Sequence, residues 1–204
     1  LATPISDKIL QRKYNNSASQ KNWAIPQAKN KWILILDSDE RITKDLEIEI
    51  INILKSPSEY TGFWIKRQNY FMNKKIVFSG WQNDKVIRLF KRDYCKYEEK
   101  HVHAEIKSNG KIGILKNKIT HNTYKSKEDY LQKIETYAKW QAKDYTKTGN
   151  INIFHTQIKP MFRFIKHFII QLGFLDGYAG LMISLYQAKA VYLRYKYLKI
   201  YRER

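Results

Sequence analysis

The clearest apolar pattern is the unbroken run Trp32-Ile33-Leu34-Ile35-Leu36, which stops at Asp37-Ser38-Asp39-Glu40. Its length and branching predict a strand covered on both faces, as in a parallel sheet. Upstream, Ala18, Asn22, Ile25 and Ala28 fall near helical spacing within residues 16–30, and Pro26 predicts a break there. Downstream, Thr43 or Asp45 can cap a helix to about Leu54, with Leu46, Ile50, Ile51 and Leu54 on one face. Strands are expected at Phe63–Ile65, Lys85–Phe90, Val102–Ile106 and Ile112–Leu115, with Asn109-Gly110 as a two-residue hairpin turn joining the last two. Helical spacing returns from Ser126 to about Thr148, where Ser126 and Asp129 resemble a shortened capping box. From Gly62 to His121 the signals are mostly strands and loops, with helical texture before and after, and a buried strand ending in acids is placed as in an open α/β sheet.

Charge narrows the choice of partner. Lys and Arg total 38 against 19 acids, a formal net charge of +19. That excess calls for an anionic partner: nucleic acid, anionic lipid or a phosphorylated substrate. The basic residues are interleaved with Tyr, Phe and Ile rather than clustered, and no zinc-finger or RNP-like segment is present. The single cysteine, Cys95, makes no internal disulfide, which fits a reducing compartment. The chain opens on Leu1 without a signal-peptide pattern, which reads as a piece of a longer protein. Met161–Tyr186 is largely apolar but carries charges and glycines, so it suits an interfacial amphipathic segment better than a membrane span. Lys189, Arg194, Lys196, Lys199, Arg202 and Arg204 would then face anionic lipid, at roughly 1 kcal/mol each when close to it.

Asp37 and Asp39 are the first candidates for chemistry. Two carboxylates one residue apart at a strand end can reach one hard cation, Mg²⁺ or Mn²⁺, which shares oxygen ligands with substrate phosphates. The plainer alternative is a turn or helix-capping cluster. His101 and His103 lie two apart, but no further zinc ligands accompany them.

In order along the chain, several segments resemble family 2 glycosyltransferases of the GT-A fold, in the branch of bacterial lipopolysaccharide core glucosyltransferases. They are Trp23-Ala24-Ile25 with Ala28-Lys29, the Trp32–Glu40 segment, and Ser79-Gly80-Trp81 with Asp84 and Arg88-Leu89-Phe90. Further on come Val102-His103, Ile119-Thr120-His121 with Tyr124, Lys159-Pro160 with Arg163-Phe164, and Gly173-Phe174-Leu175-Asp176-Gly177.

The resemblance implies a truncated, Rossmann-like GT-A domain over 1–125, lacking its N-terminal nucleotide-binding strands, and a helical, basic region over 126–204. It implies inverting transfer of a hexose, glucose foremost, from a nucleotide-sugar such as a UDP-hexose to a lipopolysaccharide core or other lipid-linked glycan. Asp37, Asp39 and His121 would hold the metal and diphosphate, and Glu40 would support them. For His121, a hydrogen-bonded strand-end histidine is the plain alternative. The family's Val-His-Glu supplies a catalytic base. Here the order is Val102-His103-Ala104-Glu105, so Glu105 is displaced by one residue and would need a local bulge to face the site. Asp84 is the second candidate base. Arg88 would contact phosphate, or be an ordinary strand arginine. Gly80 and Trp81 would receive the acceptor ring, or simply pack. The expected location is cytoplasmic, at the inner face of a bacterial inner membrane, with no nucleic-acid partner. Two other classes stay open: a nucleic-acid-binding module motivated by charge and 15 Tyr, and a non-catalytic membrane-associated fragment.

Overall fold

The computed structural model describes residues 8–98, 105–124, 126–144 and 149–203. The expected strand over 102–104, the bulge at Ala104, and His101 and His103 lie outside these residues.

Helix α1 (Ser17–Ala24) is capped by Asn16, whose side chain accepts from the Ser19 N–H, and it tightens into one 3₁₀ turn over Ile25–Gln27. Pro26 is the reason the helix does not continue in α form. Strand β1 (Trp32–Leu34) and strand β2 (Glu40–Ile42) flank the acidic turn. Helix α2 (Lys44–Leu54) starts at Thr43, whose hydroxyl accepts from Leu46 N–H. The rest of the sheet is β3 (Gly62–Phe71), β4 (Lys74–Lys75), β5 (Lys85–Lys91), β8 (Ile112–Ile114) and β9 (Ile119–Tyr124). Strands β6 (Cys95–Tyr97) and β7 (Ile106–Ser108) form a separate two-stranded ribbon.

Strand β3 is the spine. Along one edge it pairs antiparallel with β5 and then β4; along the other it pairs parallel with β8 and then β9. The sheet runs β1-β5-β3-β9-β2, a mixed sheet with helices. This is an α/β architecture, consistent with a Rossmann-like GT-A domain followed by helices.

The Trp32 run departs from expectation in one respect. It pairs antiparallel with β5, not parallel. It is nonetheless covered on both faces. Trp32 and Leu34 join the core of Leu46, Phe63, Ile65, Leu89 and Ile119, while Ile33 and Ile35 join that of Ile25, Ile87 and Phe90. Double coverage explains the unbroken apolar run, and an antiparallel strand meets that requirement equally well.

The Asn109-Gly110 hairpin is also corrected. Strand β7 pairs with β6, and β8 pairs parallel with β3, so the two are not partners. Gly110 is not in the left-handed region; a Cβ there would lie 2.3 Å from Thr61 Cγ2, so close approach accounts for this glycine. The two-residue hairpin turn is instead Met72-Asn73, both left-handed (φ 49° and 64°), between β3 and β4.

The C-terminal region begins with α3 (Lys127–Asp144), whose start is capped by Ser126 Oγ accepting from Asp129 N–H at 3.1 Å. A widened helical turn (Phe154–Ile158) leads into α4 (Lys159–Ile165), a second widened turn (Lys166–Ile170) and a 3₁₀ turn (Gly173–Asp176). Helix α5 (Tyr178–Arg202) closes the chain. These helices share a core with the sheet: Phe71 and Ile76 pack with Tyr130, Ile134 and Ile183. No helix among the described residues is long and apolar enough to cross a membrane.

Ile65 sits at the middle of β3 with no exposed surface. Ile65→Ala is expected to lower folding stability by about 2–5 kcal/mol, read from a urea unfolding midpoint.

Candidate active site

A β-bulge sets the site. In the β3–β5 ladder Phe63 faces Leu89 and Trp64 faces Ile87, which leaves Arg88 as the extra residue. A bulge re-aims its side chain and shifts the alternation. Ile87 and Phe90, three residues apart, therefore join the same core. Arg88, only 3% exposed, turns toward the acidic turn between β1 and β2.

That turn is shaped by its own carboxylate. Glu40 N–H donates to Asp37 O at 3.0 Å, and Asp37 N–H donates back to Glu40 Oε2 at 3.1 Å. Glu40 Oε1 accepts from Arg67 Nε at 3.0 Å and from Arg88 Nη2 at 2.7 Å. The Glu40 side chain is fully buried, so these guanidinium groups are what keep its charge tenable. Asp37 is gripped by Arg88 and by Lys21 of α1, the latter at 2.8 Å. Burial raises the Asp37 pKa, but Arg88 and Lys21 outweigh it and hold the group below the ordinary carboxylate value.

The network continues from Arg67. Its Nη1 lies 3.6 Å from Asp84, which also accepts from Asn69 Nδ2 at 2.9 Å. Asn69 Oδ1 meets His121 Nδ1 at 2.6 Å, and His121 Nε2 lies 3.6 Å from Asp39 Oδ2. Pairing brings these groups together: Asn69 stands opposite His121 in the β3–β9 ladder, and Asn122 N–H donates to Asp39 O at 2.9 Å. His121 lowers the Asp39 pKa, against a smaller opposing effect of burial. Asp37, Arg88, Glu40, Arg67, Asp84, Asn69, His121 and Asp39 thus form one continuous polar chain across the strand ends.

Beside this chain lies a cavity of about 460 Å³. Lys21, Asp37, Arg67, Asp84, Arg88 and Glu105 supply its polar groups, and Trp64, Tyr97, Tyr137 and Trp140 supply its aromatic wall. Both candidate bases, Asp84 and Glu105, reach it. Asp39 and His121 are not among its lining residues; they lie at the far end of the polar chain.

Gly80 and Trp81 sit elsewhere. Trp81 packs edge-on against Phe71, with ring centroids 6.3 Å apart, inside the core shared with the helices. Gly80 has φ +84°, and a Cβ there would lie 2.3 Å from Gln171 Oε1 and 2.8 Å from His167 Nδ1. Backbone shape and helix contact therefore account for this glycine, and core packing for the tryptophan.

Sequence reasoning passed over Lys21, Arg67 and Asn69. Arg67 and Asn69 lie in Lys66-Arg67-Gln68-Asn69, four consecutive polar residues of β3, so no alternation separates the two that reach the site from their neighbours. Lys21 sits one turn from Ala18 on α1, and no pattern separates it from other surface lysines.

A divalent cation was expected on Asp37, Asp39 and His121. Among the described residues no cluster of three or more His, Cys, Asp or Glu forms a ready metal-ligand set. Asp39 and His121 are side by side and partly exposed, which suits a pair of ligands for a cation completed by phosphate oxygens. Asp37 fits less directly, because Lys21 and Arg88 already occupy its two oxygens.

No family model matches the chain. Curated relatives do, over nearly its full length. An uncharacterized glycosyltransferase of Rickettsia felis is 27% identical over 208 residues, covering 95% of this chain and 73% of the relative. One from Rickettsia bellii is 28% identical over 211 residues, covering 95% and 70%. This chain is a homologue of bacterial glycosyltransferases. The lipopolysaccharide core biosynthesis glycosyltransferase LpsC of Rhizobium meliloti is 21% identical over 198 residues, covering 92% and 73%. Kinship with glycosyltransferases supports a transferase enzyme and, in general terms, a nucleotide-sugar donor and a glycan acceptor.

Two outcomes test this electrostatic arrangement. Glu40→Gln leaves Arg67 and Arg88 short of a buried counter-charge and is expected to cost about 3–5 kcal/mol, measured by chemical unfolding. Asp37 and Asp39 are held below the unfolded carboxylate value of about 4, so their contribution is present above that pH. It is lost as pH falls through their folded values, and an acid titration of stability should decline below about pH 4.

Proposed function

We propose that this chain carries the centre of an inverting, metal-dependent glycosyltransferase that moves a hexose from a UDP-hexose to a lipopolysaccharide core or related lipid-linked glycan. The observation that carries the reading is the polar chain from Asp37 to Asp39, set beside a cavity with cationic and aromatic walls, in a homologue of glycosyltransferases. Glucose as the hexose and the lipopolysaccharide core as acceptor rest on the sequence resemblance and on the printed name of LpsC.

Each residue then has a task. Lys21, Arg67 and Arg88 bring positive charge to the cavity, where a nucleoside diphosphate carries negative charge. Trp64, Tyr97, Tyr137 and Trp140 offer flat apolar faces to the base or sugar. A divalent cation, Mg²⁺ or Mn²⁺, when held by Asp39 and His121, supplies neutralising charge to the diphosphate leaving group. Asp37 would add a ligand to that cation only if Lys21 gave up its oxygen. Glu40 stays paired and keeps the acidic turn in shape.

Glu105 is exposed in the cavity wall and takes the proton of the acceptor hydroxyl. The hydroxyl oxygen bonds to the anomeric carbon as the bond from that carbon to the diphosphate oxygen breaks. The nucleoside diphosphate departs with the electron pair, and the sugar inverts. Asp84, held by Asn69 and facing Arg67, orients the acceptor. The protein works peripherally, at the inner face of a bacterial inner membrane, where a lipid-linked acceptor is found.

Turnover of UDP-glucose in the full-length protein with added Mn²⁺ is the direct test. Asp39→Ala is expected to abolish it, and ordinary turnover in that variant would sink the reading. Glu105→Gln should lower kcat by about a hundredfold or more with donor binding intact, whereas Asp84→Asn should act mainly on acceptor KM. The opposite pattern would make Asp84 the base.

A further inference from the structure

The C-terminal helices carry two features that sugar transfer does not use. The first is a stripe of apolar side chains left in solvent. Phe154, Ile158, Met161, Phe162 and Ile169 are all exposed, at spacings that keep to one helical face. The stripe runs on around the turn into α5 through Ile170, Leu172, Phe174, Leu175 and Tyr178, of which Tyr178 is 74% exposed. A contiguous apolar surface of this kind marks an interaction site.

Charge selects the partner. From Phe154 to Arg202 the chain holds eight Lys and Arg and one acid, Asp176. Asp176 is buried, so the exposed surface of this whole segment carries no carboxylate. Apolar side chains in a segment whose exposed charges are all cationic match an anionic lipid surface, with the acyl region taking the former and the headgroups the latter.

The second feature is what Asp176 does. Its Oδ1 accepts from Val77 N–H at 3.0 Å, and its Oδ2 accepts from Phe78 N–H at 3.0 Å and from Ser79 Oγ at 2.7 Å. Lys74 Nζ donates to the Asp176 carbonyl at 2.8 Å. Ser79 is wholly buried in a left-handed conformation (φ 60°), and its remaining groups go to the same segment. Its N–H donates to Gln171 O at 3.1 Å, and its carbonyl accepts from His167 Nδ1 at 2.8 Å. From Phe78 the chain makes two short turns, Trp81 N–H to Phe78 O and Asp84 N–H to Trp81 O, which deliver Asp84 to the cavity. Residues 74–79, which lead into the Asp84 loop, are therefore tied to residues 167–176 by six hydrogen bonds.

We propose that the turn from Ile169 to Tyr178 seats on an anionic lipid surface and, through Asp176, sets the position of the loop that carries Asp84. Asp176 is a positioning residue in this scheme. Lipid contact restrains the turn, the turn restrains the backbone of Val77–Ser79, and Asp84 is ordered where a lipid-linked acceptor arrives. The proposal rests on the transferase reading only in giving that acceptor to Asp84.

The test uses the full chain with vesicles of phosphatidylglycerol and of phosphatidylcholine. Phosphatidylglycerol vesicles should bind the protein, and phosphatidylcholine vesicles should bind it much less. The exposed pair Phe174→Ser with Leu175→Ser should bind about tenfold more weakly or worse, with its melting temperature unchanged. Amide exchange at Val77, Phe78 and Ser79 should slow when the unaltered protein binds vesicles, and should not respond in the double variant. Asp176→Asn should keep vesicle binding and lose the response of those amides. Equal vesicle binding by the double variant, equal affinity for both lipids, or no slowing of the three amides on binding would each overturn the proposal. If Asp176→Asn fails to fold, the comparison of the unaltered protein with the double variant still decides. None of these readouts involves sugar transfer, so an inactive protein that shows the coupling removes only the transferase reading.

Discussion

The architecture turns on one buried carboxylate. Glu40 has no exposed side-chain surface, and it is held between Arg67 of β3 and Arg88 of β5 while its other oxygen receives the backbone of Asp37. Taking such charges out of water costs several kcal/mol per ion, so the arrangement stands only while all its partners are in place. That requirement fixes three things together: the bulge that aims Arg88, the β2–β9 register that opposes Glu40 to His121, and the tight turn that presents Asp37.

From this constraint the site follows as a unit. Asp37 and Asp39 flank a turn that Glu40 braces from beneath, and they face different partners, Lys21 and Arg88 on one side and His121 on the other. Cations neutralise the cavity end, while the Asp39–His121 end keeps partly exposed ligand atoms. At the opposite margin, Asp176 lashes the C-terminal turn to the Asp84 loop, so the helical region supports the cavity as well as covering the sheet.

Much of this was legible in residue order, and the failures are instructive. The acidic turn announced itself because a strand covered on both faces must be apolar throughout and then stop. The α2 cap at Thr43 and the α3 cap at Ser126 were readable because a cap is a local hydrogen bond. Arg67 and Asn69 were not, since a polar residue in a strand has no partner until the strands pair. The Asn109-Gly110 dipeptide misled because its glycine answers to Thr61, fifty residues away in the chain, rather than to a hairpin.

Left to itself, the sequence determined local matters: where helices begin, which runs must be buried, how much positive charge the surface carries, and which residue types can do carboxylate chemistry. Tertiary structure alone decided pairing. It made β1 antiparallel, joined Asp84 to His121 through Asn69, and handed Asp176 to a loop a hundred residues earlier. The physical reason is range. Capping and side-chain periodicity act over one turn or one pleat, whereas a buried charge is satisfied only by groups that the whole fold brings within hydrogen-bond distance.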